Sequence, residues 1–162
     1  MAISDLFSAA DVILDASPGN KWALLEALST AAAPRLGLPE HEVLDALQDR
    51  ERLGSTALGK GVALPHAELR DAETPIMLFA RLRRAIDFDA RDEEPVDLVF
   101  LVLWPAATGK GLLPAMSEIC RSLRDPQALR RLRAAASPDE VVELVHQLAV
   151  AGAEPGSIPE RK

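Results

Sequence analysis

An α/β sandwich is the fold class this sequence predicts, and three observations predict it. Two apolar runs, at 76–82 and 98–104, have the length of strands, and the second is continuously apolar, as suits a strand covered on both faces. Segments with helical spacing of apolar residues precede them at 21–33 and follow them at 112–123. Strands with helices on both flanks pack as a sheet between helical layers.

Taken in order, residues 11–14 read as a short first strand. Ser17-Pro18-Gly19-Asn20 is a turn into a helix over 21–33, with Trp22, Leu25, Ala27, Leu28 and Ala32 inward. The stretch 34–39, a proline at each end, breaks that helix. A second helix runs from Pro39 or Glu40 to Asp49 with Val43, Leu44 and Leu47 inward, and its end delivers Arg50 to the segment that follows. Between the two strong strands, residues 86–95 read as a short strand or loop with a turn. The helix at 112–123 turns Leu113, Met116, Ile119, Cys120 and Leu123 inward. Asp125-Pro126 starts another helix by cap and first-turn proline, and Ser137 with Glu140 starts a last one by capping box. Residues 1–148 form one domain and 149–162 a mobile tail.

Composition narrows the function. The chain has 162 residues, 48% hydrophobic and 27% charged, with a formal charge of −7. An acidic balance argues against nucleic-acid or acidic-membrane binding. A single cysteine, Cys120, excludes an intrachain disulfide and fits a reducing cytoplasm. No run is long enough to span a bilayer, and the N-terminus lacks a signal-peptide pattern. Three histidines and one cysteine show no metal-ligand spacing, so no metal is expected. His41 and His146 are expected to face solvent, as are the arginines at 81, 83, 84, 130, 131 and 133. Trp22 and Trp104 are expected to be packing anchors.

Most functional information lies in the run from Arg50 to His66. Pro65 removes a backbone donor and holds Leu64 extended, so a short strand should end at His66 and project its imidazole from the terminus. A neutral imidazole is a competent nucleophile near pH 7. Phosphoryl transfer then needs chiefly in-line positioning and charge stabilisation. Arg50 can supply charge, Ser55 and Thr56 can donate to phosphate oxygens, and Gly59 and Gly61 allow close approach of backbone. The stretch Gly54 to Lys60 also fits the start of a P-loop. Position 61 is glycine, however, so the metal-binding hydroxyl is missing, and a strand rather than a helix should follow.

The residues Arg50-Glu51, Gly54-Ser55-Thr56, Gly59, Gly61 and Pro65-His66 resemble the active-site signature of the IIA component of the phosphoenolpyruvate-dependent phosphotransferase system, in its fructose/mannitol/nitrogen branch. Phe88-Asp89-Ala90 and Pro95 to Phe100 support the resemblance, which covers about residues 5–148. The lone-domain length is most similar to the nitrogen-regulatory type. The resemblance implies a mixed sheet of about five strands with helices on both faces. It implies a phosphohistidine carrier rather than an independent turnover enzyme, with His66 as acceptor, Arg50, Ser55 and Thr56 as its helpers, and no cofactor. Its partners would be an HPr-like phosphocarrier and regulatory target proteins. Family members usually carry a second histidine after the 98–104 strand; here Leu112 stands in its place, and Lys110 is a candidate to replace its charge. That departure keeps a binding-only regulator in view, and a sugar-uptake IIA subunit shares the same motif.

Overall fold

The computed structural model describes residues 7–153. It holds six strands, one more than the resemblance implies, and five α-helices. The strands are β1 (Val12–Ala16), β2 (Ala57–Gly59), β3 (Val62–Ala63), β4 (His66–Leu69), β5 (Ile76–Ile86) and β6 (Val96–Pro105). The helices are α1 (Lys21–Leu36), α2 (Glu40–Arg52), α3 (Leu112–Ser122), α4 (Pro126–Ala134) and α5 (Pro138–Ala153). The sheet order is β1-β5-β6-β3-β2, with β4 also paired to β6. β5 and β6 run antiparallel, while β1 lies parallel to β5, and β3 and β4 lie parallel to β6.

The two central strands are buried on both faces and split their side chains by the period of two. Leu78, Ala80, Val99, Leu101 and Leu103 join the core under α1 and α2. Met77, Phe79, Leu98, Phe100 and Val102 join the core under α3, α4 and α5. Phe79 and Phe100 are directly opposed in register, with ring centroids 4.9 Å apart and tilted by 58°. Such pairs contribute beyond their buried area.

Several helix details differ from the sequence expectation. Asn20 caps α1 as expected, its side chain accepting from the Ala23 N–H at 2.9 Å. Pro34 does not end α1, which carries it inside the helix and runs on to Leu36. The stop is Gly37, whose φ of 68° closes the helix in the left-handed region. Trp22 and Ala27 face outward; Leu24, Lys21 and Ser29 are buried in their place. Trp104, by contrast, is a packing anchor, its indole N–H donating to the Thr108 carbonyl at 2.7 Å. In α3 Ile119 and the following Leu123 are buried as expected, Met116 and Cys120 pack half-buried beside them, and Ala115 is buried in place of Leu113, which is 67% exposed. Helix α5 continues to Ala153, past the expected start of the tail; residues 154–162 of that tail lie outside the described residues.

Two arginines expected to decorate exposed faces are structural. One Arg81 Nη donates to the carbonyls of Leu132, Arg133 and Ala135, which satisfies the open C-terminal end of α4. Arg133 grips the Asp97 carboxylate and donates to the Lys60 carbonyl at 2.7 Å, tying α4 to the β2–β3 turn. Gly61 (φ 81°) sits under that bridge, and a Cβ there would lie 2.5 Å from an Arg133 terminal nitrogen. The turn at Asp92 is anchored likewise, its carboxylate accepting from the Lys60 N–H at 2.8 Å.

Candidate functional site

β3 and β4 lie end to end along one edge of β6, with Leu64 and Pro65 between them. The strand therefore does not end at His66: it breaks at the proline and resumes with His66 as its first residue. Two bonds hold the break, Leu64 N–H to the Thr56 carbonyl at 2.9 Å and Val102 N–H to the Pro65 carbonyl at 3.1 Å. Leu64 is outside the ladder to β6, and its carbonyl accepts from His66 Nδ1 at 2.8 Å.

The other ring nitrogen faces Arg50. The Arg50 Nε–H donates to His66 Nε2 at 3.2 Å, while Nη1 donates to the Gly54 carbonyl at 2.9 Å. These two partners fix the tautomer. A guanidinium can only donate, so Nε2 carries the lone pair; a carbonyl can only accept, so Nδ1 carries the proton. Burial is the main influence holding the His66 pKa below its ordinary value, and the Arg50 charge adds to it; the Leu64 carbonyl and the Glu51 charge oppose it. A ring NMR titration, assigned against His66→Gln, is therefore expected to give a midpoint below about 6.5. A midpoint above that value would contradict the geometry. The sign for stability follows: the unfolded chain takes up the proton first, so stability falls as pH drops from about 6.5 through the lower folded value.

Glu51 organises the segment behind Arg50. Its carboxylate is buried and accepts from the Thr56 hydroxyl at 2.7 Å and the Thr56 N–H at 3.1 Å. Lys21 Nζ lies 3.2 Å from Glu51 and 2.8 Å from Asp89, and 5.2 Å from the centroids of the Trp22 and Phe88 rings. Burial alone would lower the Lys21 pKa, but the bonds and charges of Asp89 and Glu51 outweigh it and the net shift is upward. Neither Lys21 nor the role of Glu51 was visible in the sequence, because the partners come from separate parts of the chain.

Arg50, Ser55, Thr56 and His66 all line one open cleft. Both hydroxyls already have partners within the protein. Thr56 donates to Glu51, and Ser55 donates to the Phe88 carbonyl at 2.6 Å while accepting from the Ala57 N–H at 3.1 Å. Helix α3 forms another part of the cleft through Leu113, Met116, Ser117, Cys120 and Arg121, and Arg124 joins them from just beyond its end. Cys120 lines the cleft while packing half-buried against the core under α3, and burial raises its thiol pKa. Leu112 also packs against that core, and Lys110 is exposed and does not line the cleft. The arginines at 121 and 124 had no sequence signal apart from their helical spacing from Leu113 and Ser117. Among the described residues no group of three or more potential ligands could hold a metal, and no helix is long and apolar enough to cross a membrane.

Comparison with known proteins agrees with this fold. The family model for the phosphoenolpyruvate-dependent sugar phosphotransferase system, EIIA 2, matches residues 5–148. A nitrogen regulatory protein of Bradyrhizobium diazoefficiens is 42% identical over 134 residues, covering 83% of this chain and 88% of the relative. A fructose-specific EIIA component of the same system from Haloferax volcanii is 33% identical over 138 residues, covering 85% and 90%. The crystal structure of nitrogen regulatory protein IIA-Ntr from Neisseria meningitidis superposes with a TM-score of 0.85 at 29% identity, covering 88% of this chain and 98% of that one. With a six-stranded mixed sheet, helices on both faces and a family match over nearly its whole length, the chain belongs to the EIIA 2 family of the phosphoenolpyruvate-dependent phosphotransferase system.

Proposed function

We propose that the chain is a phosphohistidine carrier that receives a phosphoryl group on Nε2 of His66. The observation that carries this reading is the pair of bonds on the imidazole, Nδ1–H to Leu64 and Arg50 to Nε2, which leaves a lone pair aimed at a guanidinium-lined cleft. In the transfer Nε2 attacks phosphorus in line, the donor's N–P bond breaks, and its electron pair returns to the donor imidazole. Positive charge develops on the His66 ring as the new N–P bond forms, and the Leu64 carbonyl stabilises it through Nδ1–H. Arg50 exchanges its bond to Nε2 for one to a phosphoryl oxygen while Gly54 keeps its other arm in place. Ser55 can rotate its hydroxyl from the Phe88 carbonyl to the same group, whereas Thr56 acts by holding Glu51 and the loop.

The donor in this reading is an HPr-like phosphocarrier, and the phosphorylation state selects target proteins because it adds charge and acceptor oxygens to one patch. The family identity and the nitrogen regulatory relatives support a regulatory role in the cytoplasm, where a free Cys120 is at home. The fructose-specific relative supports sugar uptake as the second reading. The test is the intact mass after incubation with phosphoenolpyruvate, enzyme I and the carrier. One acid-labile phosphoryl group is expected on the wild type and none on His66→Ala; an unlabelled wild type, with a donor that labels a standard IIA protein, would leave a binding-only regulator.

A further inference from the structure

Arg121, in the last turn of α3, and Arg124, just beyond it, are both exposed and both line the His66 cleft. Neither guanidinium has a hydrogen bond or ion pair with another described residue, unlike Arg50, Arg81 and Arg133, which are all engaged. No described carboxylate lines the cleft, although Asp and Glu outnumber Lys and Arg by 25 to 18 along the chain. Two apolar side chains share the rim, Leu58 at 46% exposure and Leu113 at 67%. A cation at a helix C-terminus is favoured by the helix dipole. That preference explains a basic residue at the end of α3, but not a pair on a cleft that excludes acids.

Direct transfer brings the reacting atoms to about 3–3.5 Å, so a protein donor must lay its own surface across this rim. We propose that Arg121 and Arg124 select the phosphodonor by charge: the carrier that loads His66 presents an acidic patch to the end of α3 and an apolar one to Leu58 and Leu113. The inference rests on the phosphohistidine reading. Charge complementarity of this kind acts mainly on encounter rate and partner choice, and weakens with salt.

The experiment compares wild type with the double variants Arg121→Glu/Arg124→Glu and Arg121→Gln/Arg124→Gln, each loaded by the phosphorylated HPr-like carrier or by phosphoramidate. The charge reversal is expected to lower the second-order rate from the carrier by about 10–100-fold at low salt, and the neutral pair by less. The loss should shrink at 0.5 M salt, and labelling by phosphoramidate, which presents no protein surface, should change less than about twofold. Equal losses with both donors would overturn the proposal by placing the pair on the phosphoryl group itself. An unchanged carrier rate in both variants would also overturn it while leaving His66 as acceptor. A wild type labelled by neither donor would sink the phosphohistidine reading together with it.

Discussion

Arg50→Gln is expected to slow phosphoryl transfer to His66 by about 10²–10³-fold, the cost of losing one preorganised charge-stabilising donor. Arg50 is held at both ends, by His66 Nε2 and by the Gly54 carbonyl, so its charge stands in the cleft before a phosphoryl group arrives. Glutamine cannot reproduce the fork or the charge. A second readout separates this role from a structural one. The Arg50 charge helps to hold the His66 pKa down, so its removal should raise the ring's titration midpoint. Arg50→Lys, which keeps the charge but not the geometry, should recover part of the rate. An Arg50→Gln protein with wild-type kinetics would place the phosphoryl group elsewhere.

Lys21→Met is expected to cost roughly 3–5 kcal/mol of stability, because it leaves Glu51 as a buried carboxylate without its counter-charge. Glu51 is 4% exposed and still binds Thr56, so the strain would fall on the segment that carries Arg50. The Asp89 half of the bridge contributes little, since that carboxylate is largely exposed. Chemical denaturation would measure the loss, and Lys21→Met/Glu51→Gln should recover much of it, as coupled partners do. A single-variant loss under about 1 kcal/mol would contradict the buried pair as the staple of the motif. The raised Lys21 pKa gives the matching pH dependence: the stabilisation is full below about 10.5 and is lost as pH climbs through the raised folded value.

The second central strand was legible because burial on both faces writes itself as an unbroken apolar run, residues 98–104. Helix caps at Asn20 and Asp125 were legible for the same local reason, a short polar side chain placed to accept from the first turn. Pro34 misled because a proline marks a helix end only as a tendency: α1 carries it inside and stops at Gly37, in the left-handed region. The strand break at Pro65 was half visible. Proline announced an interruption, but only pairing with β6 shows that the strand resumes at His66. His66 and Arg50 could be singled out from the sequence, yet their shared hydrogen bond could not, nor could the local commitments of Ser55 and Thr56. Lys21, Arg81 and Arg133 look like surface charge in the sequence, because what buries or engages them arrives from distant segments. For the same reason Arg121 and Arg124, which do remain exposed, acquire meaning only from the cleft they share with His66.

The most direct measurement is the site of phosphorylation on the imidazole, read from the nitrogen shifts and phosphorus–nitrogen couplings of the ¹⁵N-labelled phosphoprotein. The expected result is a single phosphohistidine at residue 66, coupled through Nε2, with Nδ1 retaining the proton it donates to Leu64. Phosphorus on Nδ1 of His66, or on any other residue, would contradict a site in which the Leu64 carbonyl and Arg50 together choose the nucleophile.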